Sequence, residues 1–450
     1  MTVGSPTRSI LTFALPLIAG YVLQQMYLVI DAAIVGRFVS VNALAGVGAS
    51  SSIMFLIMGF CNGACSGFAI PVAQSFGAKD FVQMRRYVAV ALRLAAVIAI
   101  VLTVGCCALT RPILRMVNTP DTIMPEAYTF LFLQFAAIPF TVAYNLLSGF
   151  IRALGDSKQP FYFLIFSSVA NILLDVLLVI LLGFGVAGVG IATMLAQALS
   201  AALCFFYIKK RMRMLVPQGD ERRYRRKLAL TLLNNGLPMG LQFSITAIGS
   251  IMLQSANNAL GTSCVAAFTA AIRVKYLFTT VFENIGVAMA TYCGQNIGAR
   301  RLDRIKQGLV SATKITMVYF LFTFVVIYPF ADQMMLLFLE PYQTGIIARA
   351  GQFMRIANYF YPALGMLVVL RYSIQGLGYS NFSMLSGVME MIARCAVSIW
   401  VVPAWGWLGV CYGDPVAWVA ADLFLFPAIW WLYHHLKRRL ASPAPQRSLV

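Results

Sequence analysis

Apolar runs of about twenty residues recur along the chain from Thr12 to His434, separated by prolines, glycines and charge clusters. A helix of that length matches the hydrocarbon thickness of a bilayer, so each run reads as a membrane crossing. The breaks predict twelve spans, near 10–38, 46–76, 87–109, 126–151, 159–183, 187–208, 230–258, 264–297, 308–339, 349–376, 381–402 and 408–434. Several exceed what one crossing needs, so they tilt or project into water.

Composition strengthens this pattern. Of the 450 residues 60% are hydrophobic and 11% charged, more apolar surface than a water-soluble chain can hide. The opening "MTVGSPTRSI" lacks a signal-peptide layout, and the first run reads as a retained span. The nine cysteines have no metal-site spacing and read as small buried residues. There is no HExxH, no paired Asp-rich motif and no Ser/His/Asp set at one depth, so neither an enzyme nor a cofactor is expected. His434 and His435, beside basic residues, read as interfacial anchors.

The net charge of +19 would suit nucleic acid, but its placement argues otherwise. Basic residues fall in alternate loops: Lys79, Arg85 and Arg86; Arg152 and Lys158; Arg300, Arg301, Arg304 and Lys306. The connector between spans 6 and 7 carries Lys209, Lys210, Arg211, Arg213, Arg222, Arg223 and Arg225 to Lys227, and the end of the chain adds Lys437, Arg438 and Arg439. By the positive-inside rule both termini and this connector are cytoplasmic, in a cell (plasma) membrane. The charge is then a topology signal and a contact with anionic lipid, and no nucleic-acid partner is expected.

The two halves resemble each other. Gln74, Gly77 and Ala78 in "PVAQSFGAKD" match Gln295, Gly298 and Ala299 in "TYCGQNIGAR", 221 residues on. The same offset sets "ALAGVGAS" against "CVAAFTAA", and "RALGDSKQP" aligns with "QGLGYSNFS" at 223. Ordered matches at nearly one offset predict a duplicated six-helix unit, both copies in one orientation. The boundaries follow: an N-terminal lobe at 1–208, a basic linker at 209–227, a C-terminal lobe at 228–440 and a tail at 441–450. Secondary transporters with such repeats bind substrate between halves and alternate access. A channel fits this plan less well.

Ionisable residues inside a membrane are functional candidates by default. In span 1, Gln24, Tyr27 and Asp31 form one polar stripe. Span 5 contains "NILLD", with Asn171 and Asp175 on one face, and span 6 contributes Thr193. Asp31, Asp175 and Thr193 each lie roughly 9–12 Å below the outer end of their span. Neighbouring carboxylates split their titrations unless a cation neutralises them, which suits a coupling site for H⁺ or Na⁺. The bland alternative is interhelical hydrogen bonding. Pro16, inside span 1, should bend or break it.

The second lobe differs. At offset 221 Asp31 maps onto Met252, so the carboxylate pair is not duplicated. Glu390 and Arg394, at i and i+4, read as an internal ion pair. Glu283 suits attraction of a cationic substrate, proton carriage or pairing with Arg273 or Lys275. Gln242, Gln254, Asn257 and Asn258 of span 7 are candidates for cavity groups or interhelical glue. The aromatic and methionine content suits a plastic cavity for flat amphipathic cations.

At this point the chain resembles the multidrug and toxic compound extrusion (MATE) family. The resemblance rests on "DAAIVGRF", "ALAGVG", "QSFGAKD", "IRALGDSKQP", "NILLD" and "GQNIGARRLDRIKQG" in this order, and covers nearly all of the chain. It implies an all-α integral membrane protein with twelve transmembrane helices in two pseudo-symmetric six-helix bundles around a central V-shaped cavity. It implies export of small organic cations or drugs by alternating access, in exchange for H⁺ or Na⁺, and the chain is expected to act as a monomer. It implies an acidic site at Asp31, Asn171, Asp175 and Thr193, with Pro16 as the conformational proline of the first span. The family branch similar in using Na⁺ carries acidic residues in spans 7 and 10; none stands there in this sequence, which favours H⁺. The alternative within the wider superfamily is a flippase for an anionic lipid or lipid-linked saccharide, served by Arg273, Lys275, Arg371 and Arg394.

Overall fold

Every regular element among the described residues of the computed structural model, 1–117 and 119–441, is helical. The first half holds α1 (Pro6–Phe38), α2 (Val41–Gly77), α3 (Phe81–Met116), α4 (Met124–Ala136), α5 (Ile138–Ala153), α6 (Lys158–Asp175) and α7 (Gly185–Arg211). The second holds α8 (Arg226–Asn258), α9 (Thr262–Gly298), α10 (Leu302–Met335), α11 (Thr344–Tyr359), α12 (Tyr361–Gly376), α13 (Ser380–Ala396), α14 (Val402–Trp405) and α15 (Trp407–Ala441). α6 and α13 run on into π-helical turns at Val176–Leu181 and Val397–Val401. Residues 442–450 of the expected tail lie outside the described residues.

Among the described residues ten helices are long and apolar enough to cross a membrane, and two bent pairs, each taken as one span, bring the number to the expected twelve. The bends fall within the spans expected at 126–151 and 349–376: α4 meets α5 at 42° and α11 meets α12 at 53°. Pro139 and Pro362 cause them, each the second residue of its helix. Proline has no N–H to carry the preceding ladder onward, but it fits the first turn of a new helix. Pro16, in contrast, does not break α1, which continues through it just as α8 continues through Pro238.

The repeat is written into the backbone. α2 and α9 end in the same double turn: Lys79 N and Asp80 N bond to Phe76 O and Ser75 O, while Arg300 N and Arg301 N bond to Ile297 O and Asn296 O. Lys79 and Arg300 both sit at φ 58°, a left-handed position that glycine usually fills. Gly155 (φ 97°) and Gly378 (φ 89°) match at 223 residues, as do Gly183 (φ 68°) and Gly406 (φ 57°). Exposed apolar side chains recur too: Val97, Ile100 and Val104 on α3 correspond to Val318, Leu321 and Val325 on α10. Apolar stripes left outside a well-packed interior suit hydrocarbon rather than water.

Contacts divide the chain into two compact units, Thr12–Ser244 and Met1–Leu11 with Ile245 onward. The division falls inside α1 and α8 rather than in the basic connector. Within the first unit, α2 and the first half of α8 meet through glycines. A Cβ on Gly63 would lie 2.5 Å from Met239 O, and one on Gly67 would lie 2.6 Å from Asn235 O. Gly236 and Gly240 face Phe68 and Phe60 in return. Such close backbone approach is how membrane helices gain packing energy without a hydrophobic drive. Phe68, Phe135 and Phe150 anchor the core of this unit; Phe282, Tyr292, Phe353 and Tyr361 anchor the second.

Candidate functional site

In the first unit α1 supplies Asp31, α6 supplies Asn171 and Asp175, and α7 supplies Thr193. Ile34 and Val35 pack with Val179, Val186 and Val189 just beyond these groups, holding α1 against the end of α6 and the start of α7. Asp175 is fully buried, Asn171 is 2% exposed and Asp31 9%. The Asp31 and Asp175 carboxyls approach within hydrogen-bonding reach. Two ionised carboxylates only accept, so a bond between them needs a proton on one. Ionised, they leave Asp31 Oδ1, both Asp175 oxygens and both amide atoms of Asn171 buried without a partner. Unmet buried polar atoms cost free energy, so the cluster favours uptake of H⁺ or of a cation that prefers oxygen ligands.

Thr193 is half-buried and donates its hydroxyl to Val189 O at 3.0 Å, which leaves its oxygen lone pairs free to face a cation. Tyr27 stands beside Asp31 and Asp175 and bonds to Gln24, so the polar stripe of α1 converges on the acid pair.

The second unit holds a different cluster. Lys275 of α9 pairs with Asp414 of α15, and Arg394 of α13 bonds to Asp414 Oδ1 at 2.9 Å and to Glu390 Oε2 at 3.3 Å. Glu390 also pairs with Arg371 of α12, whose Nε donates to Ser386 Oγ at 3.0 Å. All five charged residues are buried. The expected Glu390–Arg394 pair is therefore one link in a chain of buried ions.

The repeat relates the two clusters. Asn171 and Asp175 lie between Gly155 and Gly183, whose counterparts Gly378 and Gly406 are both 223 residues on, so they correspond to Arg394 and Ser398. Gly188 and Gly409 each press on the preceding helix end, at Leu178–Val179 and Val401–Val402. Counting on from them, Thr193 corresponds to Asp414. Where the first unit has an amide and a hydroxyl near two acids, the second has a guanidinium bonded to a carboxylate.

The other candidates scatter. Glu283 is half-buried and accepts from Tyr372 Oη at 2.9 Å, with Arg371 nearby. The expected pairing with Arg273 or Lys275 does not occur: Arg273 is exposed over the Phe338 ring at 5.8 Å, and Lys275 is committed to Asp414. Asn257 is fully buried and donates to Cys264 O at 3.5 Å, so it braces the α8–α9 turn rather than lining a cavity. Gln242 is buried in the first unit, whereas Gln254 is exposed and belongs to the second. Tyr372 escaped the sequence reading because a neutral phenol in an apolar helix carries no signal. Asp414 did stand out in the sequence, as an ionisable residue inside span 12, and offset 221 leads to it from Thr193. Of the four cations that a flippase of anionic lipids would present, Lys275, Arg371 and Arg394 are buried and neutralised, so that alternative is not favoured.

Comparisons with known proteins agree with this architecture. A family model described as MatE matches residues 16–177 and again 238–400. The Probable multidrug resistance protein YoeA of Bacillus subtilis is 30% identical over 348 residues, 76% of this chain and 75% of that protein. The Probable multidrug resistance protein YpnP, also of Bacillus subtilis, is 27% identical over 401 residues, 89% of this chain and 87% of the relative. Among solved structures, the outward-facing conformation of a multidrug resistance MATE family transporter of the MOP superfamily superposes with a TM-score of 0.90 at 21% identity. It covers 96% of this chain and 97% of that one.

Proposed function

This chain belongs to the MATE family of multidrug-resistance transporters, and from that premise we propose that it is a secondary antiporter exporting amphipathic organic cations in exchange for H⁺. The observation that carries the reading is the buried pair Asp31–Asp175, which meets within hydrogen-bonding reach and has no basic group among its electrostatic neighbours. Such a pair holds one proton or one cation and releases it when its surroundings open to water. Asn171 and Thr193 supply the further oxygens that would make Na⁺ the other candidate ion, and Tyr27 with Gln24 extends the polar stripe of α1 away from the pair. Both termini and the connector face the cytoplasm on this reading, because the basic loops lie on that side. The protein sits in the plasma membrane and alternates access between its two lobes.

The test is dye export from proteoliposomes under separately imposed H⁺ and Na⁺ gradients. Export of an ethidium-like cation driven by the H⁺ gradient alone is expected. Export driven only by Na⁺ overturns the proton assignment, and no export under either gradient overturns antiport.

A further inference from the structure

A cavity of about 490 Å³ opens at the head of α8, lined by Gln83, Arg225, Arg226, Lys227 and Leu228. We propose that it binds the headgroup of an anionic phospholipid. The three basic side chains are exposed and stand at the start of a helix that has no acidic residue in its first turn. A helix N-terminus already carries partial positive charge, so three cations there are unfavourable until an anion joins them. The connector has two acids close by, and both are engaged elsewhere. Asp220 pairs with Arg223 at 3.1 Å, and Glu221 with Arg85 at 2.6 Å. Among the described residues no carboxylate pairs with Arg225, Arg226 or Lys227.

The surroundings select a lipid over a free anion. Leu228 forms a buried apolar floor, and Phe81, Val82, Tyr224 and Leu230 are exposed on the neighbouring stretches of chain. Inorganic phosphate would leave those side chains uncovered. A phospholipid places its phosphate among the basic groups and the Gln83 amide, and lays its glycerol and acyl chains along the apolar rim.

The repeat supplies an internal comparison. At the equivalent place in the second unit, the head of α1 beside the start of α10, a cavity of about 350 Å³ is lined by Pro6, Lys306, Gln307, Val310 and Ser311. It offers one cation where the first offers three. The cleft is thus common to both repeats, and the basic cluster is particular to one.

Native mass spectrometry of the full chain in detergent, titrated with dioleoyl phosphatidylglycerol, tests this. The expected result is selective retention of phosphatidylglycerol over phosphatidylcholine. Affinity should fall about fivefold for R226Q and about a hundredfold for R225Q/R226Q/K227Q, at about fivefold per removed charge. The charge-matched variant K437Q/R438Q/R439Q, which removes basic side chains away from this cavity, should lose far less affinity than the cavity triple variant does. Equal losses in both triple variants, or no loss in either, would overturn the site. Displacement of the lipid by millimolar inorganic phosphate would overturn the assignment to a lipid.

Discussion

Arg85 and Glu221, 136 residues apart, close a two-bonded ion pair, with Nε to Oε2 at 2.6 Å and Nη2 to Oε1 at 2.7 Å. The pair fastens the connector to the head of α3. Arg304, near the start of α10, plays the matching part in the second unit, donating to Gly4 O at 3.0 Å and Met1 O at 3.1 Å. The Arg85 guanidinium holds the Glu221 carboxyl below its ordinary value of 4.5. A carboxyl lowered by folding stabilises the docked connector fully above about 4.5, and that stabilisation fades as pH falls through the lower, folded value. Hydrogen-exchange protection across residues 213–224, taken relative to the intrinsic rate at each pH, should therefore fall in acid. Glu221→Gln should show the faster exchange at neutral pH, by an amount equivalent to about 1 kcal/mol, the upper end for partly exposed pairs. Slow exchange in that variant would rule out the pair as the fastening.

Asp31→Asn and Asp175→Asn keep the shape of each side chain and remove its proton. On the proposed mechanism each variant inserts and folds normally but loses H⁺-driven export by at least about a hundredfold, the usual scale for removing an essential proton carrier. Proteoliposome flux with an imposed pH gradient measures it. Unchanged flux in either variant sinks the mechanism.

Asp414→Leu leaves Lys275 without a carboxylate and Arg394 with Glu390 alone in a buried setting. Removing one partner of such a network costs about 3–5 kcal/mol, because the remaining charge is stranded. Adding Lys275→Met should recover part of that loss. Thermal unfolding in detergent reports both steps, and an unaltered midpoint for Asp414→Leu would mean that the network is not structural.

Gly63→Leu and Gly67→Leu should separate α2 from α8, since a Cβ at either site collides with backbone. The expected cost is about 1–3 kcal/mol or more, as for other overpacked interiors. Gly105 meets nothing within 4 Å, and Gly105→Ala should instead stabilise α3 by about 0.5–1 kcal/mol. Detergent melting curves for the three variants would reveal a reversed order.

Hydropathy made the crossings legible, because a membrane imposes one length on every helix. It could not reveal the bends: Pro139 and Pro362 fall inside unbroken apolar runs, and only the backbone distinguishes a kinked helix from a new one. Asp31, Asn171 and Asp175 stood out because polar groups are scarce in such runs. The ion network was partly hidden for a simpler reason. Glu390 and Arg394 are four residues apart and could be paired by counting, whereas Lys275 and Asp414 are 139 apart. Nothing local in either segment names its partner. Glu283 shows the same limit, since its partner is a tyrosine 89 residues away rather than a nearby cation.

Arg394, in the place that Asn171 takes in the other copy, has a consequence for stoichiometry. A guanidinium is a cation that cannot dissociate from the chain, so the second copy carries its counter-ion as a covalent tenant. On the proposed reading, the vacancy at this place belongs to the first copy. Duplication would ordinarily double the number of exchangeable ions per cycle; here one side chain returns the count at this place to that of a single copy.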